Sequence, residues 1–207
     1  RIHDGQAITI LPDLSRRCPV VDPDDHHLYT SLGCAAENLV QAAAAYGLES
    51  KVSFDAARDG VRIELQPSAN STTQASPLFA AMAQRQCTRN EYDGKPLSSD
   101  ELALLQRAGS SDRVQLLLLT DKTKMEQVLD YIVQGSTAQV NDPAFAAELK
   151  AWIRFSAADA VRLGDGLYSA TSGNPSLPAW LGKPMFNFFF TAKAENEKIA
   201  KQLRSSA

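Results

Sequence analysis

Between Asp25 and Tyr46, apolar residues recur at steps of three and four: Leu28, Leu32, Ala35, Leu39, Ala43 and Tyr46. This is the period of one helix face, and it predicts a helix over 25–46. The opposite side carries small residues, Gly33, Ala36, Ala42, Ala44 and Ala45, where a surface helix would carry charge. A helix apolar on more than one face needs cover on most sides. The segment is therefore expected to lie deep in a fold or at a contact between chains, and a twofold homodimer is the expected assembly. Gly47 is the expected C-terminal stop.

The remaining pattern mixes strands and helices. Ala7 to Leu11 is a β-rich run ended by Pro12-Asp13. Lys51–Phe54 and Val61–Leu65 read as a hairpin with Asp59-Gly60 in its turn. Gln66 to Ser76 is polar and reads as a linker, and Pro77 to Gln86 as a short helix. Ser98 and Glu101 form a capping box ahead of Leu102, Leu104 and Leu105. Val114 to Leu119 is a nearly continuous apolar strand pattern. Met125 to Val133 has helical spacing. Asn141-Asp142-Pro143 supplies a cap and a first-turn proline for a helix with Phe145, Leu149, Trp152 and Ile153 on its face. Gly164 to Pro184 is a long irregular stretch of the kind used for binding loops. Phe186 to Phe190 reads as a strand, and Ala192 to Arg204 as an amphipathic helix. The fold class this implies is α+β.

Composition removes several function classes. The 207 residues are long enough for a sizeable core and one or two domains. Acidic residues number 24 against 21 basic, so no broad basic field exists and nucleic acid is not an expected partner. No apolar run approaches the roughly 18–20 residues needed to span a bilayer, so no membrane partner is expected. The three cysteines, Cys18, Cys34 and Cys87, form no CxxC pair and are odd in number. Neither a disulfide framework nor a zinc site follows from them. His26 and His27 lie near Asp22, Asp24 and Asp25, but the spacing fits no zinc pattern and helix capping is the better reading, so no metal is expected. There is no GxGxxG, no P-loop and no assembled Ser/His/Asp set. An enzyme built on this chain would rely on a cofactor for its chemistry.

The run that bears most on function is Arg85-Gln86-Cys87-Thr88-Arg89-Asn90-Glu91-Tyr92-Asp93-Gly94-Lys95-Pro96-Leu97. Arginines four apart can point the same way at a helix end or in a turn, which suits the bidentate, charge-assisted bonds of a phosphate. They also suit plain solvated charges at a helix end. Cys87 reads as a small residue between them, although two guanidinium groups would favour its thiolate.

This run resembles the opening Arg-x-Ser-x-Arg signature of the FMN-dependent nitroreductase family, with Cys87 where the family usually has Ser. Further matches are Ile8-Thr9-Ile10-Leu11-Pro12-Asp13, Pro19-Val20-Val21-Asp22-Pro23 and Ser31-Leu32-Gly33-Cys34-Ala35-Ala36-Glu37-Asn38-Leu39. The second half adds Asp142-Pro143-Ala144-Phe145 and Glu148-Leu149-x-x-Trp152-Ile153-Arg154. Together they are similar to the branch in which two copies of the unit are fused.

The resemblance implies a nitroreductase-like fold, present as a partial two-copy unit. Residues 1–67 would be the back half of a first copy, 68–84 a linker with a short helix, and 85–207 the front part of a second copy. It further implies FMN held at its phosphate by Arg85, Cys87 and Arg89, with NAD(P)H as electron donor for reduction of a small nitro compound or quinone. The family's Asn-x-Gln-Pro-Trp segment, which touches the flavin, has no counterpart after Ser110, where the chain reads Ser111-Asp112-Arg113-Val114-Gln115-Leu116. A flavin-binding protein without turnover is therefore the alternative, and a purely structural domain a third. A longer native chain extending past both ends is expected. The compartment stays open between cytoplasm and export.

Overall fold

The computed structural model describes residues 2–3, 6–69, 77–85, 91–112 and 114–206. The chain is an α+β protein, the class expected from its sequence, and divides into two compact units, Arg1–Cys87 and Thr88–Ala207.

The first unit is built on a four-stranded antiparallel sheet. Its strands β1 (Ile2–His3), β2 (Ala7–Ile10), β3 (Leu48–Asp55) and β4 (Gly60–Pro67) lie in the order β1-β2-β4-β3. Ile8 pairs with Ile63 and Thr9 with Arg62, so Thr9 and Ile63 point to opposite faces. Both are fully buried. Helix α1 (His26–Ala45) packs on β2, β3 and β4, and ends at Gly47, whose φ of 73° is the left-handed conformation expected of a helix stop.

The start of α1 is capped from outside its own first turn. Asp25 sits in the left-handed region and makes no side-chain cap. Asp22 instead accepts from the backbone N–H groups of His27 and Leu28, both at 3.0 Å. Burial opposes charge on Asp22, but those two hydrogen bonds outweigh it and hold the carboxyl below its ordinary value.

The helix is less enclosed than its sequence suggests. Leu32, Ala36 and Ala43 are buried, whereas Gly33, Cys34, Ala35 and Ala44 are exposed. Small residues allow close approach, and among the described residues this face of α1 is left uncovered.

The hairpin turn spans Ala56 to Asp59, with Gly60 already the first residue of β4. Asp59 takes the left-handed conformation, φ 53°. Asp55 accepts from the Ala57 and Arg58 backbone and pairs with the Arg58 side chain at 2.9 Å. The Tyr29 hydroxyl donates to Asp59 and so ties α1 to the hairpin tip; this bond raises the phenol's pKa above its ordinary value. Helix α2 (Pro77–Met82) lies against α1, with Tyr46 and Phe79 edge to face at 6.0 Å.

The second unit is mainly helical: α3 (Ser99–Ala108), α4 (Lys122–Val140), α5 (Pro143–Trp152), α6 (Ala157–Leu163), α7 (Ala179–Phe189) and α8 (Ala192–Ser205). Two short parallel strands, β5 (Ile153–Arg154) and β6 (Leu167–Tyr168), sit between them. The Ser98–Glu101 capping box forms as expected, as does the Asp142 cap with Pro143 in the first turn. Helices α4 and α8 pack together, joined by Asn196 Nδ2 donating to Thr137 Oγ1 at 2.8 Å.

Two expected strands are absent. Residues 114–119 form no strand and, among the described residues, make only an isolated bridge, Val114 with Ser111. Side chains replace the missing ladder: Gln106 donates to the Leu116 carbonyl and Ser110 Oγ accepts from the Leu116 N–H. The run Phe186–Phe190 is not a strand but the end of α7. Met185, Phe186, Phe189 and Phe190 follow the i, i+1, i+4, i+5 spacing of one helix face, and tertiary packing on that face overrides the strand preference of aromatic residues. Residues 164–178 alone keep the irregular character expected over 164–184, and they contain β6 and a 3-10 turn at Ser169–Ser172.

Candidate functional site

The arginine run falls only partly within the described residues; Cys87 and Arg89 lie outside them. Arg85 is exposed just past α2, its N–H donating to the Ala81 carbonyl at 2.9 Å. A helix ends in carbonyl groups, so α2 has no backbone donors to offer an anion at this position. Recognition of a phosphate by Arg85 would rest on its guanidinium. In charge and donor chemistry that group fits the phosphate end of FMN.

Tyr92, further along the same run, belongs to the second unit, where its N–H donates to Ser205 Oγ at 2.9 Å on α8. There it joins the rim of a cavity of about 740 Å³. That volume lies within the range typical of small-molecule sites, roughly 300–1,000 Å³.

The cavity's walls come from segments far apart in sequence. Helix α7 supplies Phe186 and α5 supplies Leu149, while α8 supplies Ile199 and Lys198. Phe155, which follows β5, is buried and meets Phe186 edge to face at 6.4 Å. Phe186 stacks on Phe190 at 4.5 Å with the rings within 16° of parallel. Gly182 is required where α7 crosses Phe155, because an added Cβ would lie 2.5 Å from that ring.

The wall over 169–177 is stitched in place by hydrogen bonds. Buried Ser169 shares its hydroxyl between the carbonyls of Phe155 and Pro175, each at 3.2 Å. The Leu177 N–H donates to the Phe155 carbonyl at 2.9 Å. Lys198 Nζ donates to the Ser172 carbonyl at 3.0 Å, and both residues belong to the wall.

The cavity corresponds to none of the candidate site residues read from the sequence. One signal for it was present: aromatic residues at helical spacing over 185–190. The histidines have a plainer setting. His26 and His27 open α1 and meet edge to face at 5.4 Å, beside the Asp22 cap. Among the described residues no group of three or more His, Cys, Asp or Glu side chains is placed to hold a metal ion, and no helix is long and apolar enough to cross a membrane.

Comparison of the chain with protein-family models, with curated proteins and with solved structures finds no match.

Proposed function

We propose that this chain is an FMN-dependent oxidoreductase of nitroreductase type, with the family's fold, using NAD(P)H to reduce small nitro compounds or quinones. Arg85, Cys87 and Arg89 form the phosphate end of the flavin site. The observation that carries the reading is the ordered run of these residues with Tyr92, Pro96 and a capped helix directly after them, α3 with its Ser98–Glu101 box. The flavin when bound supplies the hydride chemistry; the chain's part is to hold its phosphate and orient the ring.

Titration of the purified chain with FMN, followed by flavin fluorescence, tests this reading. Arg85→Ala and Arg89→Ala each remove a charge-assisted contact, and affinity falls about tenfold or more. Unchanged dissociation constants in both variants would remove the site.

A second reading, flavin binding without turnover, is favoured by the sequence after Ser110, which has no counterpart of the family's ring-contact segment. Steady-state NAD(P)H oxidation with a nitroaromatic separates the two, an enzyme turning over on the order of 1 per second or faster. The proposal includes a twofold dimer, because α1 leaves Gly33, Cys34, Ala35 and Ala44 exposed. Sedimentation equilibrium giving only a 22.4 kDa species at micromolar concentration would remove that part.

A further inference from the structure

The cavity of the second unit has an apolar body and, among the described residues, a single ammonium group in its wall. Phe155, Phe186 and Phe190 present aromatic surface, and aromatic faces favour a flat partner over a flexible chain. Lys198 Nζ has a neutral acceptor, the Ser172 carbonyl, rather than a carboxylate. A carboxylate in place of that carbonyl would make a stronger, charge-assisted bond. Glu195, one turn earlier on α8, lines the same cavity. Its charge opposes any bound anion and opposes a polyanion more than a monoanion, so of the anions a single carboxylate is the one best accommodated beside Lys198.

We propose that this cavity binds a flat, apolar monocarboxylate, its ring system lying against Phe155 and Phe186 and its carboxylate taken by Lys198 Nζ. The site lies wholly within residues 92–202 and is independent of the flavin reading.

The test uses the purified chain and two probes of nearly equal shape, 2-naphthoate and neutral 2-naphthamide, each titrated calorimetrically. The unaltered chain binds the naphthoate about tenfold or more tightly than the amide, the worth of one charge-assisted bond. In Lys198→Met the preference disappears while amide affinity is kept. Ala194→Phe, at an exposed position on the cavity wall, removes binding of both probes. Arg85→Ala leaves both affinities unchanged.

Four results would overturn the proposal: no binding of either probe, equal affinity for the two in the unaltered chain, a preference that survives Lys198→Met, or loss of naphthoate binding in Arg85→Ala, which would assign the anion to the arginine run. Equal affinity for the two probes on the unaltered chain overturns the proposal even where a variant fails to fold.

Discussion

Arg154 donates one hydrogen bond from Nε to an oxygen of Asp165 at 2.9 Å, and its Nη2 lies 2.8 Å from the same oxygen as an ion pair. Both side chains are largely buried, at 12% and 17% exposure. The pair closes the loop between α6 and β6 over the end of α5, where the Arg154 guanidinium lies 5.7 Å from the centre of the Trp152 ring. Gly166 is obligatory beside it: its φ is 70°, and a Cβ would collide with the Trp152 carbonyl. Removing one partner strands the other charge. Asp165→Ala is therefore expected to cost about 2–3 kcal/mol in urea unfolding. The double variant Arg154→Met with Asp165→Leu should cost less than either single change. A double loss equal to the sum of the single losses would show that the pair does not act as a unit.

The cap on α1 predicts a pH dependence. Asp22 has a folded pKa below its ordinary value of 3.8, because burial is outweighed by the His27 and Leu28 N–H bonds. A depressed carboxyl pKa adds stability that is fully present above 3.8 and is lost as pH falls through the lower, folded value. Asp22→Ala is thus expected to lower Tm at pH 7. The gap between variant and parent should narrow as pH drops below 3.8. A gap that stays constant down to pH ~2 would mean that the carboxylate charge contributes nothing to the cap.

The hairpin predicts a steric cost at Gly60. An added Cβ there would lie 2.5 Å from the Ile10 carbonyl oxygen and 2.8 Å from a Leu11 methyl. The first is the backbone of the last residue of β2, held by its pairing with Val61, and cannot swing aside. Gly60→Ala is expected to cost about 1–3 kcal/mol, with loss of hydrogen-exchange protection along the β2–β4 pairing. Gly33 makes the control: nothing lies within 4 Å of its added Cβ, and Gly33→Ala in the middle of α1 should be neutral or stabilising.

The parts of the fold that were legible in the sequence are those written locally. The capping box of Ser98 and Glu101, the Asp142-Pro143 helix start and the Gly47 stop each depend on a few neighbouring residues, and each forms. In the sequence Asp22 is one of three acidic residues beside the histidines, and nothing local marks it as the specific cap. Its role depends on Asp25 turning left-handed, which the sequence does not announce. The cavity was illegible because it joins Tyr92, Leu149, Phe155, Phe186 and Lys198, which are brought together only by helix packing. The arginine run shows the opposite limit. Its pattern is plain in the sequence, while the surroundings of Arg85 show an exposed side chain at a helix end and say little more.

The segment Phe186–Phe190 has the sequence pattern of a strand but forms the end of α7, and the two conformations make different predictions. In a strand, Phe186, Phe188 and Phe190 would share one face and truncating each would cost alike. In α7 they do not. Phe186 is half-buried, stacks on Phe190 and meets Phe155, whereas Phe188 is 76% exposed. Phe186→Ala is therefore expected to cost about 3 kcal/mol, the scale of a large-to-small change at a packed aromatic, whereas Phe188→Ala stays within about 0.5 kcal/mol. The helix also contains Pro184, which has no N–H to give to the Trp180 carbonyl one turn earlier. Pro184→Ala restores that donor and should leave the chain at least as stable. Equal losses at Phe186 and Phe188 in denaturant unfolding would return the segment to a strand. They would also remove the aromatic wall on which the proposed carboxylate site depends.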